Sequence, residues 1–301
     1  MKKSFEQHME EIRRMHQEMR KIFDSRPITG ERILIPRDGL EGVDVIIYRP
    51  KQPERDRMPV LFNMHGGAFV GGDAVLMDSF CRKVADCLSM LVVNINYKKA
   101  PEYPFPYAVA EVADTIEYFT VHADDYKINP ERMAVGGFSA GASLAAGAAL
   151  KTKEDGRVSL ACQLLVYPVT NLYSTLNTEK SDDESLAYKY MVKAYCQNDD
   201  ADHIWASPLL GSQGELSGVC PAIFITCGLD SLREQGEAYA KRLIDCGVPV
   251  SVMRYQNALH GFVEVNRPDY FAEDNRKTPE QADLTEKAEH YILQALNMYL
   301  S

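Results

Sequence analysis

No stretch of this 301-residue chain approaches the roughly 18 consecutive apolar residues that a membrane-spanning helix needs. Nor does an apolar segment follow the basic start Met1-Lys2-Lys3: Phe5 runs into Glu6, Gln7 and His8, so no secretion signal is expected. Basic charge is scarce. Against 43 Asp and Glu stand 33 Lys and Arg, a net charge of −10 with a pI near 5.3, which argues against nucleic acid or an anionic membrane as partner. There is no C-x-x-C pair, and the seven cysteines (Cys81, Cys87, Cys162, Cys196, Cys220, Cys227, Cys246) are odd in number. Several sit inside apolar runs such as Phe224-Ile225-Thr226-Cys227, so buried thiols in a reducing compartment are expected rather than disulfides. Together these absences fit a soluble, cytoplasmic protein. Signatures of metal and nucleotide binding are missing as well. The chain has no H-E-x-x-H, no cluster of carboxylates with histidine and no Walker A, and Gly136 to Gly141 does not complete a dinucleotide fingerprint. Neither metal nor cofactor is expected.

What is present is enough apolar material, 46% of residues, for one large core, so residues 1–301 read as a single domain. Phe5, Met9, Ile12, Met15, Met19 and Ile22 recur at steps of three or four and predict an amphipathic helix over residues 4–23. Strand-like runs follow at 32–35, 43–48, 60–64, 91–96, 133–135, 161–166, 222–227 and 250–255. From residue 60 onward, helix-length segments separate them: 74–89, 106–122, 139–152, 232–246 and a closing 280–299. This alternation predicts an α/β fold with a largely parallel sheet of about eight strands, antiparallel at its start and covered by helices on both faces. One interval breaks the rhythm. Roughly 55 residues separate the strands ending at 166 and starting at 222, where about 20 would return the chain to the sheet. The excursion reads either as part of a small helical cap, built from residues 1–28 and 172–206, or as a surface insertion without a role.

Gly137-Phe138-Ser139-Ala140-Gly141 is a G-x-S-x-G pattern between a strand-like run and a helix-like one, the context of a nucleophile elbow. The tight turn lifts the Ser139 hydroxyl clear of the sheet, and flanking glycines let neighbouring backbone pass closely. A Ser hydroxyl needs a base, and the base an orienting acid. Of seven histidines, His8, His16, His122, His203 and His290 fall on helix-like or excursion segments. His260 follows the last strand, where a parallel sheet gathers its site. Asp230, three residues beyond the 222–227 strand, is the candidate acid; it would equally serve to start the helix after it. Asp199, Asp200 and Asp202 compete in order but lie in the excursion. For a developing oxyanion, His65-Gly66-Gly67 after the 60–64 strand offers the Gly66 and Gly67 N–H groups, joined by that of Ala140; alone, it reads as a strand-to-helix turn. Phe69, Phe138, Tyr167 and Trp205 are candidate pocket aromatics.

These pieces together resemble the hormone-sensitive-lipase-like group of the α/β-hydrolases, the bacterial acetyl esterases and carboxylesterases. His65-Gly66-Gly67-Ala68-Phe69 is similar to the group's H-G-G-G-[FW] loop. Tyr97-Lys98-Lys99-Ala100-Pro101-Glu102, with Phe105-Pro106, is similar to its Y-R-L-A-P-E-x-x-F-P stretch. Tyr167-Pro168, Ala206-Ser207-Pro208-Leu209, Asp230-Ser231-Leu232 and His260-Gly261-Phe262 also have counterparts. The resemblance covers the chain after about residue 30 and implies an α/β-hydrolase fold with a capped Ser139-Asp230-His260 triad. It implies hydrolysis of small, short-chain carboxylic esters through an acyl-enzyme, without a cofactor. An amidase, arylformamidase or peptidase on the same apparatus is the alternative, and a non-enzymatic ligand receptor the remote one; oligomeric state is left open. Three positions depart from the pattern: Ala68, Phe138 and Ala142 stand where members carry Gly, Asp and Gly. The long stretch 267–286 reads as a solvated loop rather than a second flap.

Overall fold

The computed structural model describes residues 4–179, 182–198 and 200–301. Eight strands form one sheet in the order β1-β2-β4-β3-β5-β6-β7-β8. They are β1 (Glu31–Arg37), β2 (Leu40–Tyr48), β3 (Met58–Met64), β4 (Leu91–Ile95), β5 (Ile128–Phe138), β6 (Cys162–Val166), β7 (Ala222–Leu229) and β8 (Val250–Leu259). β1 and β2 form a hairpin and β2 runs antiparallel to β4; every other pairing is parallel. Each expected strand is present, and β5 starts at Ile128 rather than at Met133. Strands β3, β4 and β6 are buried at every position, as continuous apolar runs must be when helices cover both faces.

The faces separate by the period of two. On β3, Val60, Phe62 and Met64 join one apolar cluster and Leu61 the other; on β2, Val45 and Ile47 part from Ile46 and Tyr48 in the same way. The helices are α1 (Phe5–Asp24), α2 (Asp78–Leu88), α3 (Tyr107–Val121), α4 (Ala123–Tyr126), α5 (Ala140–Asp155), α6 (Leu172–Leu176), α7 (Asp183–Tyr195), α8 (Gln213–Leu216), α9 (Arg233–Asp245), α10 (Phe262–Val265) and α11 (Pro279–Leu300). Helices α3, α5 and α9 contribute to the first cluster, α2 and α11 to the second. Fully burying one such Val, Leu, Ile or Phe side chain stabilises by about 1.5–3 kcal/mol. Helix α5 is buried almost throughout because its Ala and Gly residues let it press close to the strands.

Helix α1 starts at a capping box between Ser4 and Gln7, worth about 1 kcal/mol. Its Met9 and Ile12 belong to the first cluster and its Phe23 to the second. A helix whose ends pack on opposite faces must cross the end of the sheet. Phe5 and His8 meet Tyr190 of α7 edge-on, with ring centroids 5.6 and 5.0 Å apart. All seven cysteines are unpaired; Cys81, Cys162, Cys196 and Cys227 are buried, Cys220 and Cys246 half-buried, and Cys87 exposed. Among the described residues no helix is long and apolar enough to cross a membrane.

Candidate active site

Strand β5 ends at Phe138 and α5 begins at Ala140, which leaves Ser139 alone at the turn with φ 53° and ψ −117°. A residue with a side chain in that region is strained and must be held by its surroundings. The glycines permit it. A Cβ on Gly137 would stand 2.5 Å from the Gly141 carbonyl carbon, and one on Gly141 would collide with the carbonyl oxygen of Met64. Ser139 makes no capping bond to its own helix, so its hydroxyl is free to face elsewhere.

It faces His260, with Oγ 2.8 Å from Nε2. On the other side of the ring, Nδ1 lies 2.7 Å from Oδ2 of Asp230, whose side chain is only 3% exposed. Strands β7 and β8 make this meeting possible: a Cβ on Gly228 would overlap the Gln256 carbonyl, so only glycine lets the two strand ends converge. Of the competing acids, Asp199 lies outside the described residues, and Asp200 and Asp202 do not reach the site cavity. His16 does reach it, but its ring nitrogens face the Val70 carbonyl and Glu102 rather than Ser139.

The glycine loop after β3 is pinned plane by plane. The Tyr97 hydroxyl donates to the His65 carbonyl at 3.2 Å and His65 Nδ1 to the Gly66 carbonyl at 2.6 Å. Burial, reinforced by Lys99, holds the His65 imidazole well below its usual pKa and hence neutral. Gly71 and Val70 N–H groups donate to the Gly67 carbonyl at 2.8 and 3.1 Å. In a trans peptide the N–H points away from the C=O, so Gly67 and Ala68 N–H face the opposite side. Both residues line the cavity. Gly66, expected as an oxyanion donor, does not fit that role: its N–H is taken by Glu264 Oε1 at 2.8 Å.

Ser139, Asp230 and His260 open on a cavity of about 1340 Å³. Its walls come from α1, the 66–72 loop, α7 and the segment after His260. The comparisons with known proteins agree with this architecture. A family profile described as alpha/beta hydrolase fold matches residues 61–264. The chain belongs to the hormone-sensitive-lipase-like group of the α/β-hydrolases. It is 32% identical over 223 residues to the esterase LipI of Mycobacterium tuberculosis, covering 72% of this chain and 70% of that one. With the arylacetamide deacetylase of Oryctolagus cuniculus it shares 27% identity, over 80% of this chain and 77% of that protein. The crystal structure of EstE1, a thermostable carboxylesterase from a metagenomic library, superposes with a TM-score of 0.79 at 28% identity, covering 97% of each chain.

In this α/β-hydrolase the four aromatics expected at the pocket stand behind its wall. Phe69 is buried and stacks on Tyr195 with centroids 4.1 Å apart, and Phe138 packs edge-on against Phe80 at 5.1 Å. Tyr167 is buried and supports the His260 ring edge-on at 5.0 Å, while Trp205 lies under the Lys151 ammonium, 5.0 Å away. Each sits beside a site motif in sequence, but Phe69, Phe138 and Tyr167 turn into the core, and Trp205 packs half-buried against the first cluster beside α5. The cavity wall is instead made by Met15, Met19, Tyr188, Met191 and Phe271, among others. The stretch 267–286 is likewise more than a solvated loop. Arg267 is buried and pairs with Glu289 at 3.0 Å. Arg276 donates to the His260 carbonyl at 2.7 Å and is held by Asp274. Sequence reasoning missed Glu264, Arg276 and Asp274. The one available signal was the position of Glu264, a single helical turn after His260.

Proposed function

We propose that this chain is a serine esterase, a carboxylic ester hydrolase acting through an acyl-enzyme. One observation carries the reading: Ser139, His260 and Asp230 form a continuous hydrogen-bonded chain at the floor of a cavity. Ser139 Oγ attacks the acyl carbonyl while His260 Nε2 takes its proton. Asp230 holds the imidazole through Nδ1 and stabilises its charged form. The Gly67, Ala68 and Ala140 N–H groups receive the oxyanion, aided by the positive end of α5. His260 then protonates the leaving alcohol, and a water activated by the same base clears the acyl group. Relatives named as esterases support this chemistry.

Helices α1 and α7 serve as a cap, since Met15, Met19, Tyr188 and Met191 roof the cavity. The wall mixes these apolar groups with Asp73, Lys99 and Glu102. A short acyl chain fits the thioethers, whereas a long alkyl chain would lie against charge. Amide cleavage is the second reading, favoured by the relative named arylacetamide deacetylase.

Purified protein assayed with p-nitrophenyl esters from acetate to laurate, and with acetyl-p-nitroanilide, separates these readings. Ester turnover highest for the shortest acyl groups is expected, falling by about 10⁴- to 10⁶-fold in Ser139→Ala. Faster anilide than ester turnover would make it an amidase. No turnover of either, or full activity in Ser139→Ala, would overturn the assignment.

A further inference from the structure

Glu264 is a carboxylate in a wall where none of the reaction steps asks for one. It stands on the single turn of α10, which begins two residues after His260. Its Oε1 accepts the Gly66 N–H at 2.8 Å and its Oε2 the Tyr167 hydroxyl at 3.3 Å. The fit is close: a Cβ on Gly66 would come within 2.7 Å of Oε1 and 2.8 Å of Oε2. Burial pushes the Glu264 carboxyl above the usual range, and the Gly66 N–H opposes that shift. Placing a carboxylate there costs free energy that an apolar residue would not.

The loop it touches is intrinsically loose. Gly66 and Gly67 carry no Cβ, so their peptide planes rotate at little steric cost. The Gly66 and Gly67 carbonyls are held by His65, Val70 and Gly71, all within the loop itself. The plane that carries the Gly66 N–H is held on its carbonyl side by the Tyr97 hydroxyl, 3.2 Å from the His65 carbonyl, and on its N–H side by Glu264. Glu264 is the group that reaches the loop from the segment carrying His260. Its negative charge is of no use to an oxyanion forming nearby, because like charges repel. Its acceptor oxygen is what the loop uses.

We propose that Glu264 is a positioning residue: by accepting the Gly66 N–H, opposite the Tyr97 hydroxyl on the His65 carbonyl, it completes the fixing of the first peptide plane of the glycine run. The Gly67 and Ala68 N–H groups are thereby aimed at the acyl oxygen and held in register with His260. This role rests on the esterase mechanism proposed above, and its effect is on the oxyanion rather than on substrate affinity.

The test compares Glu264→Gln, Glu264→Ala and Glu264→Leu for kcat and KM on p-nitrophenyl acetate. Hydrogen exchange at the Gly66 amide, read by NMR, accompanies it. Losing one oxyanion donor typically costs about 10²- to 10³-fold in kcat, and a misaimed loop should cost roughly 10- to 100-fold, with KM changed less than about threefold. Gln keeps an acceptor oxygen of the same reach, so it should restore kcat to within about fivefold of wild type. The Gly66 amide should exchange slowly in wild type and Gln, and about tenfold or more faster in Ala and Leu. A folded Ala or Leu variant with wild-type kcat would overturn the proposal, as would a Gln variant no better than Ala. If neither Ala nor Leu folds, the Gln variant decides: near-wild-type kcat with a protected Gly66 amide supports the role, and a larger loss refutes it. Should wild type turn over no ester, the mechanism has failed rather than the tether. Equal Gly66 exchange in wild type and Ala would then refute the tether on its own.

Discussion

Asp230 divides its carboxylate between two neighbours: Oδ1 accepts the Leu232 N–H at 2.8 Å, while Oδ2 meets His260 Nδ1 at 2.7 Å. Of the two readings of this residue open at the sequence level, starting a helix and orienting a base, the structure favours the second. Helix α9 begins at Arg233 behind Leu232 with no side-chain cap, so the bond to Leu232 closes a turn ahead of the helix rather than capping it. The bond to Leu232 fixes the rotation of the carboxylate and so fixes which edge His260 sees. A buried acid with one oxygen already anchored loses little further freedom in holding an imidazole.

That division predicts a selective effect of Asp230→Asn. The amide oxygen still accepts from Leu232, which leaves NH₂ facing His260. The ring must then accept at Nδ1 and carry its proton on Nε2, where it cannot take one from Ser139. Ester kcat should fall by roughly 10⁴-fold with the melting temperature little changed. Asp202 is exposed, and Asp202→Asn should be nearly silent. Activity loss in Asp202→Asn but not in Asp230→Asn would place the acid elsewhere.

The N-terminal helix yields a second prediction. Removing residues 1–24 would take Met9, Ile12 and Phe23 out of both core clusters, so truncation mixes folding with substrate binding. Met15 and Met19 line the cavity without being part of either cluster's buried set. Met15→Ala combined with Met19→Ala should therefore leave the fold intact. It should raise KM by about threefold or more, or shift the acyl-length profile, because roughly 1 kcal/mol of thioether contact is lost. An unchanged profile in the folded double variant would mean that α1 is not a cap.

The third prediction is a pH dependence of stability. Asp274 accepts from Arg276 Nε at 2.7 Å, and this pairing holds its pKa down to about 2. A carboxyl whose folded pKa is depressed adds stability above its unfolded value, near 4, and loses it as pH falls through the folded value. Wild type should exceed Asp274→Asn by roughly 2 kcal/mol at neutral pH, with the gap steady down to about pH 5. It should close between about pH 4 and 2. Denaturant unfolding of both proteins across that range measures it; a gap that persists at pH 2 would exclude the ion pair as its source.

Much of the frame was legible in the chain. The period of two on β2 and β3, and the three-to-four steps of Phe5 through Ile22, come from backbone geometry, which sequence reports directly. Ser139, Asp230 and His260 were legible because each follows a strand end. In a parallel sheet those ends lie along one edge whatever the loops do. The stretch 267–286 was not legible. Its polar composition suits a solvated loop, yet Arg276 and Asp274 there are held by groups of precise placement rather than by apolar periodicity.

By itself, then, the chain determined the order of its elements, the two faces of its sheet and the edge at which chemistry-bearing residues gather. Local steric and periodic rules act within a few residues. The tertiary structure alone decided which N–H groups of the glycine loop are free. Gly66 lost its donor to Glu264, nearly 200 residues away in the chain (|i−j| = 198). It also turned Phe69, Phe138, Tyr167 and Trp205 away from the cavity and brought Met15, Tyr188 and Phe271 to it. Periodicity gives a side chain's face, but whether that face meets core, cavity or water depends on segments that arrive from elsewhere in the fold.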